Sequence, residues 1–420
     1  MLSREDNEYL TRVGSGTPCG NLFRRYWHPV AGASELTEEK PTKRVKILGE
    51  ELVLYRDGKG GYGLVAEHCS HRGTSLYYGF VEDGCIRCAY HGWSYDKQGR
   101  CVEQPFEPNP RFKESIHHTA YPVEKLAGLL FAYMGPPDTK PLLPRWDILV
   151  WDHGVRKIQI RPLLNCNWLQ AEENTADFVH TLYLHGHMTR QRGVSADVSF
   201  YMRPFSRYGF QPCPWGIIKT WEFEGEKAGR TGGRGWGNFV LFPNMLRQTD
   251  TLSTLHWRVP IDDYSTAVFH VGFTASPDGS RVEQPDEPPV DYEKSWMDET
   301  GDYHLRNFSS QDGMAWETQG RLYDRSQEHL GASDRGIIMF REMLRDQIRI
   351  VENGGDPMAL VREPKDNVSI DLEAWTPPRE ARTGAAANAY EGPRRSPEEF
   401  FDERCEEFEV PIGSARRAPR

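Results

Sequence analysis

The chain has 420 residues, enough for two or three domains and a sizeable core at roughly 150 residues per domain. Its 51 basic and 61 acidic residues give a net charge of -10 with no sustained Lys/Arg run, which argues against nucleic acid or an anionic membrane surface as its main partner. Eight cysteines are too few and too unevenly spaced for a disulfide framework.

The start, Met1 to Glu8, is polar and acidic with no apolar stretch behind it, so neither a secretory signal nor a membrane span is expected, and a cytoplasmic protein is. Residues 45 to 66 alternate apolar and polar around the glycine-rich turn 57 to 61 and read as a small antiparallel β region. Further strands are expected at Ile86 to Tyr90 and Tyr121 to Met134. The proline-studded stretch from Gly135 to Pro144 reads as a linker, with a domain boundary near 147.

Beyond it, strands at Val155 to Pro162, Trp215 to Glu222, Ser253 to Pro260 and Thr266 to Thr274 surround one helix, Trp168 to Leu184, which predicts an α+β unit with an antiparallel sheet. Residues 276 to 292 read as a loop. A second helix is expected from Ser333 to Asn353, stopped by Gly354-Gly355. The expected division is 1–147, 148–382 and a solvated tail 383–420.

Two constellations carry chemistry. Cys69-Ser70-His71 and Cys88-Ala89-Tyr90-His91 form C-x-H and C-x-x-H clips in glycine-bounded β loops. Two thiolates and two imidazoles suit either a tetrahedral zinc ion or a Rieske-type [2Fe–2S] cluster, with two Cys on one iron and two His on the other. The uneven spacing of the clips and the flanks Arg72-Gly73 and Gly92-Trp93-Ser94-Tyr95-Asp96 favour the cluster. Cys85-Ile86-Arg87-Cys88 could also be read as a redox dithiol, but it lacks the strand-to-helix context of one, so Cys85 reads as a packed thiol. The first loop has no second cysteine to tie it to the other.

The second constellation is Asp177, His180 and His185. Two imidazoles and a carboxylate with open positions make the facial triad of non-haem Fe(II) oxygenases. On an ideal helix His180 and His185 stand about 140° apart, so they can face one ion only if the helix ends, as at Gly186, or widens into a π-bulge. His187 reads as adjacent or exposed, and His68 and the pair His117-His118 as structural.

Together these motifs resemble the oxygenase α component of the Rieske non-haem iron ring-hydroxylating oxygenases, nearest the phthalate dioxygenase branch. The resemblance extends from Arg24-Arg25-Tyr26-Trp27-His28-Pro29 through Phe242-Pro243-Asn244-Met245-Leu246-Arg247 and Arg258-Val259-Pro260-Ile261-Asp262-Asp263 to Arg341. It implies an N-terminal all-β Rieske domain and a C-terminal helix-grip domain. It assigns Cys69, His71, Cys88 and His91 to the cluster, and His180, His185 and Asp312 to a mononuclear Fe(II), with Asp324 and Asp334 as rivals to Asp312. Asp177 is implied as a carboxylate bridge between a cluster histidine of one subunit and an iron-binding histidine of the next, within a homotrimer or stacked trimers.

The resemblance further implies an oxidoreductase that uses O2 and electrons from an NAD(P)H-dependent flavin and iron–sulfur reductase. The segment Gly14 to Gly20 has the wrong glycine spacing for a nucleotide site of the chain's own. The implied reaction is hydroxylation of an aromatic acid in the manner of phthalate dioxygenation. The alternatives are O-demethylation of a methoxylated aromatic acid, or a Rieske electron carrier without oxygenase activity. An acid calls for a forked cation, and Arg207 and Arg247 are the sequence candidates. Trp215, Trp236 and Phe239 are candidate apolar walls, with ordinary core packing as their competing role.

Overall fold

Runs such as Leu129–Tyr133 and Ser253–Asp262 are rich in β-branched and aromatic residues and are bounded by glycine or aspartate turns, which favours short antiparallel strands over helices. A computed structural model describes residues 2–193, 202, 205–223, 234–249, 253–372 and 406–409. The N-terminal part holds three small sheets. Thr42–Ile47, Glu50–Arg56, Tyr62–Ala66 and Ala120–Tyr121 form one. Phe80–Glu82, Cys85–Arg87, Ser94–Tyr95 and Cys101–Glu103 form the second, and Trp27–Gly32 joins Leu129–Tyr133 and Val123–Leu126 in the third.

The C-terminal part is built on a nine-stranded sheet. Its order across the sheet is Val290–Tyr292, Gly154–Ile160, Ser265–Ala275, Ser253–Asp262, Met245–Gln248, Arg234–Leu241, Gly216–Phe223, Phe205–Cys213 and Glu406–Glu409. Every pairing is antiparallel except that of Val290–Tyr292 with Gly154–Ile160. The strands expected from the sequence are present to within a few residues, and the 276–292 segment contributes a short edge strand besides loop.

The tail departs from expectation where it is described. Glu406–Glu409 is not solvated coil but pairs with Phe205–Cys213, Arg207 opposite Glu409 and Phe210 opposite Glu406. The unpaired N–H and C=O groups of a sheet edge take an extended segment readily.

The expected helix Trp168 to Leu184 is also revised. The α-helix ends at Ala176, Asp177 is extended (φ -92°, ψ 139°), and a π-helix follows over Thr181–Met188. The long amphipathic helix runs Arg335–Glu352 and is preceded by a single 3-10 turn, so its cap is Asp334 rather than Ser333. It lies on Trp168–Ala176, where Glu173 accepts hydrogen bonds from both Arg325 and Arg341 in a buried network. One apolar core runs through both parts of the chain, while a smaller one, with Val53, Tyr55, Ile86 and Tyr95, packs beneath the two cysteine loops.

A buried ion pair spans the two parts. Both residues of the pair Arg247–Asp147 are fully buried, and the guanidinium donates from Nε and Nη2 to the two carboxylate oxygens, each at 3.0 Å. Removing one partner of a buried ion pair costs roughly 3–5 kcal/mol. Asp147→Ala is expected to lower unfolding free energy by about that amount in denaturant titration; a loss below about 1 kcal/mol would show that the arginine finds other partners.

Candidate iron sites and the cavity between them

The two cysteine loops are built alike. The Cys69 amide donates to the Thr74 carbonyl and the Gly73 amide to the Cys69 carbonyl; the Cys88 and Gly92 amides repeat the pattern with Trp93 and Cys88. Gly73 and Gly92 both sit at φ +74°, a left-handed turn that favours glycine and closes each loop. Both thiols are buried, whereas His71 is exposed and His91 half-buried. The imidazoles lie 4.6 Å apart between centroids, His71 is stacked on Trp93, and the Tyr95 hydroxyl lies 3.1 Å from the Cys69 sulfur.

Among the described residues, three or more ligand atoms all within 4.8 Å of one another occur once, and not here. The donor set of two thiols and two imidazoles, Cys69, Cys88, His71 and His91, fits a cluster whose two irons would divide it two and two. Cys69, Cys85 and Cys88 are all free thiols. His118, taken as structural, reaches the site: buried, it hydrogen-bonds Ser70 between the two first-loop ligands, bonds the Ala66 carbonyl and stacks on Tyr95.

The close triplet is His180, His185 and Asp312. The π-helix explains the first pair. Its hydrogen bonds run between residues five apart, which brings side chains at i and i+5 toward one face. Gly186 lies inside this segment and does not end it. Asp312 comes from the helix Phe308–Glu317, whose cap Asn307 accepts the Ser310 amide at 2.7 Å. His185 Nε2 lies 3.3 Å from Asp312 Oδ1, yet that oxygen is buried and makes no hydrogen bond. An orphaned carboxylate oxygen facing two imidazoles fits a divalent ion of the facial-triad type.

The rivals are elsewhere: Asp324 contacts Ser326 and Arg4, and Asp334 accepts the Gly331 amide.

Gln311, adjacent to Asp312, was not anticipated. Its side-chain nitrogen donates to Thr189 and to the Leu305 carbonyl, which leaves its oxygen facing His185 Nδ1 at 3.0 Å. That oxygen fixes the proton on Nδ1 and keeps Nε2 for a metal. Burial lowers the His185 pKa, but Asp312 and Gln311 outweigh it and raise it overall. Gln311→Leu is expected to weaken iron retention by about 10- to 100-fold with the fold intact; unchanged affinity in a chelator competition would remove Gln311 from the site.

Asp177 does not share a helix face with His180 as expected; it sits in the extended link before the π-helix. One carboxylate oxygen accepts the Val179 amide at 2.8 Å, and the other stands 3.2 Å from His180 Nδ1. Burial raises its pKa, and His180, the Val179 amide and Lys219 together outweigh that and hold it low.

A cavity of about 420 Å³ opens onto the triplet, within the roughly 300–1,000 Å³ typical of small-ligand sites. Strand alternation decides what faces it. Thr254, His256 and Arg258 point inward, while Leu255, Trp257 and Val259 fill the core on the other face. The same rule corrects Arg247: Leu246 and Gln248 face the cavity, so Arg247 points away into its pair with Asp147. The Arg207 backbone lies in Phe205–Cys213, and its side chain, like that of Trp236, is outside the described residues. Trp215 and Phe239 pack in the core, and the cavity's apolar walls are Phe178, Trp221, Leu246 and Phe308. Its cations, Arg161 and the buried Lys219 and Arg258, escaped sequence reasoning.

Comparison with known proteins follows the same division. Residues 26–122 match the Rieske [2Fe-2S] domain and residues 292–374 the LigXa C-terminal domain. The chain is 40% identical to the 5,5'-dehydrodivanillate O-demethylase oxygenase subunit of Sphingobium sp., covering 89% of this chain and 86% of that one. It is 36% identical to the phenoxybenzoate dioxygenase α subunit of Ectopseudomonas oleovorans, covering 83% and 86%. The terminal oxygenase of carbazole 1,9a-dioxygenase from Nocardioides aromaticivorans shares the fold with a TM-score of 0.57 at 22% identity, over 82% of this chain and 97% of that structure.

Proposed function

The chain belongs to the Rieske non-haem iron oxygenases as an α (oxygenase) subunit, and from that premise we propose that it hydroxylates an aromatic acid held in the cavity beside His180, His185 and Asp312. The observation that carries this is the convergence of the close triplet, with its unpartnered Asp312 oxygen, and three cations on one cavity of ligand size. Cys69 and Cys88 hold one cluster iron and His71 and His91 the other; His180, His185 and Asp312 hold the mononuclear Fe(II). When bound, these groups supply the electrons and the activation of O2.

The chain's own residues do the rest. Gln311 orients His185, Asp177 orients His180, and Phe178, Trp221 and Phe308 offer apolar surface to an aromatic ring. An electron-transfer protein delivers electrons; we take it to be an NAD(P)H-dependent reductase. The oxygenase is a cytoplasmic homotrimer or stack of trimers, in which Asp177 meets a cluster histidine of a neighbouring subunit. The division at 147/148 separates the cluster-binding from the catalytic unit.

A second reading, O-demethylation of a methoxylated aromatic acid, draws support from the 40% identity to an O-demethylase subunit. Product analysis decides between the two. Metal-replete protein with a reductase is supplied with phthalate, 3-phenoxybenzoate and methoxybenzoates, and diols and formaldehyde are assayed. Formaldehyde from the methoxybenzoates selects the second reading, and diols from phthalate or phenoxybenzoate the first. O2-dependent consumption of no aromatic acid would refute both.

A further inference from the structure

Resting on the aromatic-acid reading, we infer that Arg161 and Arg258 form a carboxylate-binding subsite in the cavity and anchor the acid group of the substrate. The fold brings the two arginines to one point. Arg258 lies opposite Val268 in the register of Ser253–Asp262 with Ser265–Ala275, and the Arg161 amide donates to the Val268 carbonyl from the other side. The two therefore flank a single strand, with backbones about 10 Å apart at two strand spacings, and both side chains line the cavity.

Each arginine has a carboxylate only at ion-pair distance and keeps buried donors unused. Nε and Nη1 of Arg258 and Nε of Arg161 are buried and make no hydrogen bond. Their nearest carboxylates, Glu172 and Glu293, stand at 3.8 Å, beyond hydrogen-bonding distance. Both oxygens of Glu172 are themselves unpartnered, and burial pushes its pKa up to about 8, so at neutral pH it does little to offset Arg258. His256 and His270, two positions along the same strands from Arg258 and Val268, have rings 4.3 Å apart; burial and the arginines depress both their pKa values, His270 to about 3, and His270 lowers that of His256 further. Uncharged, the histidines add hydrogen-bonding groups without competing for an anion.

A guanidinium presents a planar fork of donors that matches a carboxylate, and two of them with open donors in a water-poor cavity call for that class of ligand. Asp312 lies within electrostatic reach of both arginines, so the subsite and the iron ligands open into the same space. An acid anchored here leaves its ring between the apolar walls.

The test compares phthalate, 3-methoxybenzoate and 3-phenoxybenzoate with their neutral methyl esters, in wild type, Arg258→Gln and Arg161→Gln, each loaded with cluster and Fe(II). The expected result is a 10- to 100-fold loss in the ratio of acid to ester kcat/KM, carried mainly by KM, with cluster absorbance and iron content retained. Arg258→Lys and Arg161→Lys, which keep the charge without the fork, should recover part of the ratio and serve if a glutamine variant does not fold. Acid and ester rates falling in parallel, or a ratio preserved within three-fold in every variant, would overturn the subsite while leaving the aromatic-acid reading intact. Wild type that turns over no acid, or that prefers the esters, would overturn both.

Discussion

His180→Ala is expected to purify with a full Rieske absorbance spectrum, to hold less than a tenth of the wild-type mononuclear iron, and to lose at least about 10³-fold in turnover. The separation follows from construction. The cluster loops rest on their own small core of Val53, Tyr55, Ile86 and Tyr95 and close through their own turns at Gly73 and Gly92, none of which involves the π-helix. The proposed mononuclear site has three protein ligand atoms, so losing one would leave only His185 and Asp312. A metal site contributes several kcal/mol of transition-state stabilisation, and about 4 kcal/mol corresponds to 10³ in rate. Asp312→Ala should behave in the same way, whereas Asp324→Ala and Asp334→Ala should retain iron. Wild-type iron content in His180→Ala, or turnover within ten-fold, would refute the assignment. Loss of both iron signals together would mean that the two sites do not fold independently.

The legibility of these sites in the sequence follows from how local each one is. Cys69, His71, Cys88 and His91 were readable because a loop ligand set is fixed by short spacing and flanking glycines. His180 and His185 were readable only with the condition that the helix be irregular. The chain meets it through a π-helix that follows the break at Asp177 and contains Gly186. Asp312 is 127 positions from His185, and only the family resemblance singled it out.

Arg247 was misplaced for a different reason. Arg247 and Arg258 both look like lone cations in β-rich sequence, and which face each takes depends on strand register. Leu246 and Gln248 inward puts Arg247 outward, while Thr254, His256 and Arg258 share the inward face. The alternation Thr254-Leu255-His256-Trp257-Arg258 was a signal that could have been used, since a buried strand with one polar face implies something polar to face. Arg161 carried no such signal, because it follows the end of its strand. Gln311 was hidden beside a ligand, as an amide reads as unremarkable until its hydrogen-bond partners are known.

Asp177→Asn is expected to keep both metals and yet to slow reduction of the mononuclear iron by about 10- to 100-fold in single-turnover experiments, the range for losing the partner of a ligating histidine. Asp177 touches its neighbours with two different oxygens. One is committed to the Val179 amide, which holds the carboxylate in place after the helix ends at Ala176. The other contacts His180 Nδ1, leaving Nε2 of that ring for the metal. An amide is the same size and can still accept the Val179 hydrogen bond, so the link should keep its shape. What it loses is the negative charge that favours a proton on His180 Nδ1 and, in the proposed trimer, on the facing cluster histidine. With the charge gone, the two histidines that Asp177 would join in that trimer would lose the anion they share. Asp177→Glu, which restores the charge on a longer arm, should recover part of the rate, and a purely structural role would not predict that order. Electron transfer in Asp177→Asn at the wild-type rate, with both irons present, would exclude the bridge; loss of the mononuclear iron would instead make Asp177 a support for His180 alone.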